Sequence, residues 1–403
     1  MLKFAIDANE EFNINNLKNA LIGYIIAKQK EDGFIIVVDD LDSENREAKD
    51  GESIDILKKF AIESKQTIYR SKNLKIYQEF AYRLLKDKKA YACFCADNSN
   101  CNNNCEKLTH NQLKSLKEKN QKFTIRISQK DKHSFLNTTK SLEKENSINL
   151  DFEILNAKGL PSATFTSAID DMSMGITDSI NKNSLKEKYI HYLLGYDSKI
   201  NYYNLAQIDN NITIKSLLKQ GFLPDAIINY TILLYNNTPK EIFYLPDAIE
   251  FFDISKAPRY NVTFDIDTLK KINQQHLLKM DSKKLSNIFK FSDSDIGELL
   301  KIFLRDSSTI NELQDRLDKV FNAKTCSNKN KEVVENLSKI ILEAPMIDSF
   351  SDFKKHLIKK SKLDNNTIEK YISFLLTADE KTKDIEEIYN LIKPYLLEVA
   401  RCQ

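Results

Sequence analysis

An α/β core built on a parallel sheet, followed by an all-α module, is the fold class that this 403-residue sequence predicts. Two observations predict it. Residues 2–42 run strand, helix, strand, which is the unit that opens a parallel sheet. From Asp267 onward every segment carries Leu and Ile at three- and four-residue spacing between short polar turns, the pattern of successive helices. The length adds a third constraint: 403 residues exceed one compact core, so two or three domains are expected.

The elements follow in chain order. Residues 2–6 are a short apolar run. Leu17, Ala20, Leu21, Tyr24 and Ala27 then line one helix face. Asn13, Asn15 and Asn16 are capping residue types just ahead of it, and Gly33 suits its stop. Residues 34–38 are continuously apolar and β-branched, as a strand buried on both faces requires. The loop after the first strand lies at the sheet's carboxyl edge, where ligands bind in such folds. Helices are expected over 52–63 and 74–87, a strand over 90–95, a helix over 106–120 and a strand over 123–128 with Arg126 inside it. Residues 130–145 are a polar connection. Further helices are expected over 185–194 and 224–235, where Pro224 suits the first turn. The all-α part carries helices near 285–291, 296–304, 310–320, 333–342, 353–360, 367–377 and 385–399.

Composition narrows function. Charged residues are 29%, hydrophobic ones 41%, and the net charge is +2. Any nucleic-acid footprint is therefore a local patch and not a global field. No apolar run reaches the roughly 18 residues that span a bilayer. No secretory signal opens the chain, so a cytoplasmic location is expected, with no membrane partner and no DNA. Only 8 glycines occur, and there is no Gly-x-Gly-x-x-Gly and no Walker-type loop. The lysine-bearing faces are solvated surface or, alternatively, an RNA-phosphate patch. The five histidines show no metal spacing and no nucleophile beside them, and are expected to be packed or surface groups.

Four thiols fall within thirteen residues. Cys93, Cys95, Cys101 and Cys105 are spaced C-x-C-x5-C-x3-C. A tetrahedral structural zinc needs four soft ligands on bendable loops, and the Asn-rich spacers bend easily. The alternative is free cysteines in a solvated loop. Asp39, Asp40 and Asp42 are a second candidate cation site, or strand-end caps.

Taken jointly, these segments resemble a glutamyl-tRNA synthetase, a class I aminoacyl-tRNA synthetase. Lys3-Phe4-Ala5 stands where that family has Arg-Phe-Ala. Asn13-Ile14-Asn15-Asn16 stands in the place of the HIGH signature. Residues Val37 to Asp42 stand where it has Arg-Ile-Glu-Asp-Thr-Asp. Asp151-Phe152, Gly159, Pro161, Phe165, Asp170-Asp171 and Met174-Gly175-Ile176-Thr177 match, as do Gly221-Phe222-Leu223-Pro224. The resemblance covers nearly the whole chain. It is strongest to shorter bacterial members that charge tRNA(Gln) with glutamate. It implies a Rossmann-like core in two halves, 1–90 and 151–255. It further implies an inserted acceptor-end domain over 91–150, with zinc in many members, and an anticodon-reading helical domain over 256–403.

The departures fall on chemistry. Lys3, Asn13, Asn15 and Asn16 are altered ATP-site positions. Val37, Asp39 and Ala163 are altered amino-acid-pocket positions. The loop expected after Ile180 is missing, and residues 209–215 pass where a KMSKS loop would stand. No catalytic residue is assigned. The resemblance therefore implies a non-catalytic paralogue that binds tRNA, an active glutamyl-tRNA synthetase or an amidotransferase. The alternative is a working glutamate–tRNA ligase, using ATP and Mg, with an atypical site.

Overall fold

The computed structural model describes residues 1–41, 49–95, 104–119, 121–139, 149–180, 184–197, 199–325 and 331–402. Strand β1 (Leu2–Asp7), helix α1 (Ile14–Gln29) and strand β2 (Phe34–Asp39) form the expected opening unit. Helix α2 (Lys49–Lys59), β3 (Gln66–Tyr69) and α3 (Leu74–Lys86) follow. β1 and β2 pair in parallel from Leu2 opposite Phe34 to Asp7 opposite Asp39. Phe4 and Phe34 stack on one face of the sheet, with Tyr24 of α1 edge-on to Phe34. Ile35 and Val37, on the other face, pack with Ile176. Burial on both faces explains why these strands are apolar without alternation.

The next segment builds a separate antiparallel sheet. It comprises β4 (Ala90–Cys93), α4 (His110–Glu118), β5 (Thr124–Ile127), α5 (Lys132–Thr139) and β6 (Glu153–Leu155), with strand order β4-β5-β6. Arg126 is buried in it. Its Nε donates to Asp151 at 2.7 Å, and the Tyr91 hydroxyl donates to the other Asp151 oxygen at 2.7 Å. The chain then returns to the parallel sheet through α6 (Ala163–Met174), β7 (Asp178–Ser179), α7 (Leu185–Leu194) and β8 (Asn201–Tyr202). The parallel sheet has the order β3-β2-β1-β7-β8. The doubly wound core with a small intervening sheet is thus present.

Helices complete the chain: α8 (Ile214–Lys219), α9 (Pro224–Tyr235), α10 (Leu245–Phe251), α11 (Ile266–Lys279), α12 (Ser282–Ile288), α13 (Ser294–Phe303), α14 (Ile310–Phe321), α15 (Lys331–Leu342), α16 (Phe350–Ser361), α17 (Asn365–Thr377), α18 (Ile385–Ile392) and α19 (Leu396–Val399). The chain divides into two units. One holds Met1–Lys215, Thr231–Pro239 and Leu245–Phe264; the other holds Ser216–Tyr230, Lys240–Tyr244 and Asp265–Gln403. Asp265, Asp281, Asp293, Thr309, Ser349 and Asp364 each cap a helix with a side-chain oxygen, which is why the polar turns can be so short. Gly297 lets α13 cross α12: an added Cβ would sit 1.9 Å from the Ser282 carbonyl oxygen.

Six expectations need correction. The expected helix 106–120 is confined to His110–Glu118, and the expected helix 285–291 ends at Ile288, with Lys290 at positive φ. The expected strand 90–95 ends at Cys93, because the chain turns there to carry Cys95. Within the polar connection 130–145, Lys132–Thr139 is helical, and it buries Phe135 and Leu136. The expected helix 52–63 lies earlier, ending at Lys59, with Ala61 at positive φ. The closing helix 385–399 is broken at Pro394, whose ring cannot continue the hydrogen-bond ladder. Among the described residues, no helix is long and apolar enough to cross a membrane.

Candidate functional site

The first functional question is what the start of α1 offers a ligand. A free helix N-terminus presents unpaired N–H groups and positive potential, a ready anion site. Here those donors are consumed within the chain. Asn13 caps α1, its Oδ1 accepting from the backbone N–H of Asn15 at 2.9 Å and of Asn16 at 3.0 Å. The Asn16 side chain reaches back to the Asn13 N–H at 3.0 Å, completing a capping box. The Ile14 N–H donates to the Ile212 carbonyl at 3.0 Å, and Ile214 N–H returns a bond to Phe12. Residues 13 and 213 form an antiparallel bridge.

Asn15 then closes the mouth. Its Nδ2 donates to the carbonyls of Ile208 at 3.0 Å and Asn210 at 3.2 Å, while its Oδ1 accepts from the Ile208 N–H at 2.9 Å. Segment 208–214 is thereby zipped along residues 12–15. Beneath it Lys18, fully buried, donates to the Ala206 carbonyl at 2.9 Å. Burial pulls the Lys18 pKa down to about 8. Lys215, one of the nearest cations to the place of the expected lysine loop, pairs with Glu52 at 2.8 Å on the surface.

The remaining charges are matched internally. Lys3 is 2% exposed and points away from α1. Its Nζ lies 2.5 Å from Asp171 Oδ1 and 3.0 Å from both the Ser167 carbonyl and hydroxyl oxygens, on α6. Arg70 donates to Asp170 at 2.9 Å and also to Asp39, and the Tyr77 hydroxyl donates to Asp170 at 2.6 Å. Burial alone would lower the Arg70 pKa, but Asp170 and Asp39 outweigh it and raise it. Asp40 accepts from the Ser71 N–H at 2.8 Å and from the Ser71 hydroxyl. Asp39 and Asp40 are therefore an ion-pair partner and a turn cap. Asp42 lies outside the described residues.

The altered positions do not form one pocket. Asn13, Asn15 and Asn16 converge at α1. Lys3 joins α6. Val37 is fully buried in the sheet core, and Ala163 is an exposed first residue of α6. The residues sequence reasoning passed over are Arg70, Lys18, Ser167 and Tyr77. One signal was available for Arg70. Only eight of the 60 basic residues are arginine, so a retained arginine marks a place where a lysine would not do.

The second feature is the cysteine cluster. The sulfurs of Cys93, Cys95 and Cys105 all lie within 4.8 Å of one another, with Cys95 and Cys105 3.5 Å apart. Cys101 lies outside the described residues. Four thiolates around zinc, at bonds of about 2.3 Å, stand roughly 3.8 Å from each other, so the three fit such an ion. The Phe94 N–H points at Cys105 Sγ, at 3.4 Å, as backbone donors do toward thiolates. Among the described residues this is the one group of metal-ligating type. Of the histidines, His191 and His276 are buried and hydrogen-bonded, to Ala168 and Asn229.

Comparison with known proteins fits this architecture. The family model for the catalytic domain of class I tRNA synthetases (E and Q) matches residues 2–271. Glutamate–tRNA ligase 2 of a Sulfurovum species is 38% identical over 432 residues, covering 99% of this chain and 100% of that protein. Glutamate–tRNA ligase 1 of a Nitratiruptor species is 34% identical, covering both chains fully. Both alignments are longer than the 403 residues present here, so the relatives carry segments that this chain lacks. In fold, the chain is similar to a glutamate tRNA ligase from Elizabethkingia meningosepticum solved with its amino acid. The TM-score is 0.76 at 17% identity, covering 98% of this chain and 97% of that one.

Proposed function

The chain belongs to the class I tRNA synthetases of the glutamate and glutamine type, and from that membership we propose a non-catalytic paralogue that has kept a tRNA- or partner-binding surface. The partners are tRNA, an active glutamyl-tRNA synthetase or an amidotransferase. Residues 91–150 would serve the acceptor end and residues 256–403 the anticodon side. The zinc would be structural, held by Cys93, Cys95, Cys101 and Cys105: four thiolates fill a tetrahedral coordination sphere and leave no open position for chemistry.

One observation carries the loss of catalysis. Every first-turn N–H of α1 is bonded within the chain, and Asn15 clamps segment 208–214 over them. Adenylate formation joins a carboxylate to the α-phosphate of ATP. Two anions meet, so the site needs spare donors and cations aimed at the charge that develops. Each missing donor typically costs about 2.7–4 kcal/mol of barrier lowering. Here Lys3 is neutralised by Asp171 and Lys18 is held by a carbonyl, so neither is available.

The test is ATP–pyrophosphate exchange with glutamate, run with tRNA present. No exchange is expected; robust exchange overturns the proposal. It would establish the second reading, an active ligase with an atypical site, which the names of the full-length relatives favour. A gel-shift with total tRNA separates RNA binding, which must weaken with salt, from a scaffold that contacts only protein.

A further inference from the structure

We propose that Thr124 is a positioning residue of the cysteine cluster: its hydroxyl donates a hydrogen bond to the Cys93 thiolate when the cluster holds a zinc ion. The inference rests on the zinc reading above and adds a residue that motif spacing could not supply.

β4 and β5 are antiparallel, and Cys93 stands directly opposite Thr124. Directly opposed residues share a face, with Cβ atoms about 4.5–5.5 Å apart. Cys93 is fully buried and Thr124 is 5% exposed, so water does not serve either side chain. Yet the Thr124 hydroxyl makes no hydrogen bond of full geometry, and the Glu153 carboxyl is the acceptor that competes for it. A hydroxyl is a donor as well as an acceptor, and an orphaned one in a core is rare. Valine would pack this strand position equally well without that penalty.

The neighbouring geometry shows what such a donor is for. Phe94 lies between Cys93 and Cys95, and its N–H is directed at Cys105 Sγ. Gln121 fixes the same turn by donating to the Phe94 carbonyl at 3.2 Å. One sulfur thus already has a backbone donor, and Cys93, which carries a second, stands opposite Thr124 across the strand pair. Metal-bound thiolates keep residual negative charge and are oriented by such donors. Outer-shell partners of this kind typically change metal affinity about 10- to 100-fold. A rival acceptor is the Glu153 carboxyl: burial pushes its pKa up, and the Arg126 charge and then the Thr124 hydroxyl hold it down.

The experiment uses the full chain in three forms: wild type, Thr124→Val and Thr124→Ser. Cobalt(II) is the probe, read by its thiolate charge-transfer bands. Zinc affinity follows from competition with a chromogenic chelator. Wild type and Thr124→Ser are expected to bind alike. Thr124→Val is expected to bind at least about tenfold more weakly, with a red- or blue-shifted charge-transfer band. The metal-free melting temperature of Thr124→Val should not fall, since valine removes an unpaired polar group. A merely structural threonine would give the reverse pattern. Equal affinity in Thr124→Val and wild type overturns the inference and assigns the hydroxyl to Glu153. If wild type takes up no metal at all, the zinc reading fails and this inference with it.

Discussion

The mouth of α1 and the cysteine turn are both polar sites in the same unit, and they treat their polar groups in opposite ways. At the mouth, Asn13, Asn15 and Asn16 satisfy the helix N–H groups, one another and the strand-like segment 208–214. Around the cysteine turn, three sulfurs stand close together, and Thr124, opposite Cys93, carries a buried hydroxyl with no hydrogen bond of full geometry. A group satisfied within the chain has nothing left to offer a ligand. A buried group left unsatisfied costs stability unless something completes it. The contrast teaches that a site can keep its place in a fold while its bonding capacity is turned inward, and that unspent polar atoms mark where a ligand is still owed.

The sharpest way to break this comparison is at the cysteines. Cys95→Ser should take bound zinc from near stoichiometric to near zero by elemental analysis of purified protein; unchanged zinc would remove the second half of the contrast. At the closed site, Lys3→Met should cost about 3–5 kcal/mol in urea denaturation, because Asp171 is left charged in the core. Adding Asp171→Leu should restore most of that loss, and a silent Lys3→Met would mean the buried pair is not formed. Asn15→Ala strands the Ile208 N–H, at about 1–3 kcal/mol for a buried group, while the Ile208 carbonyl keeps the Asn210 N–H. Amide exchange should quicken across 208–214 in that variant, and unchanged protection there would remove the clamp from the account.

The remaining effect is a pH dependence. The folded pKa of Lys18 is about 8, below its usual 10.5. Below pH 8 the lysine is charged in both states, so its full burial penalty is present. Between pH 8 and about 10.5 the unfolded chain binds more protons, so stability should rise with pH, by at most about 1.4 kcal/mol per unit. Lys18→Met should flatten that rise in denaturant titrations at pH 8 and pH 10. A wild-type curve that does not rise would mean the amine is solvated.

Much of the frame was legible beforehand because periodicity and caps are local. The apolar face of α1, the β-branched run of β2 and the Asp- and Ser-capped helices after Asp265 each announce themselves within a dozen residues. Boundaries were less legible where tertiary packing decided them. Lys132–Thr139 carries only two apolar anchors, Phe135 and Leu136, and becomes a helix because a core receives them. Asn13, Asn15 and Asn16 were visible as altered positions. That the Asn15 side chain binds the distant backbone of Ile208 and Asn210 was not.

The sequence alone determined the family and the order of layers, since those are properties of residue types at fixed spacing. Only the tertiary structure decided what the replacements do. Lys3 finds Asp171, Arg70 finds Asp39 and Asp170, and Thr124 faces Cys93 across a strand pair. Such pairings depend on distances between residues remote along the chain, and the cost of burying a charge or hydroxyl is set by whatever the fold brings within hydrogen-bond reach.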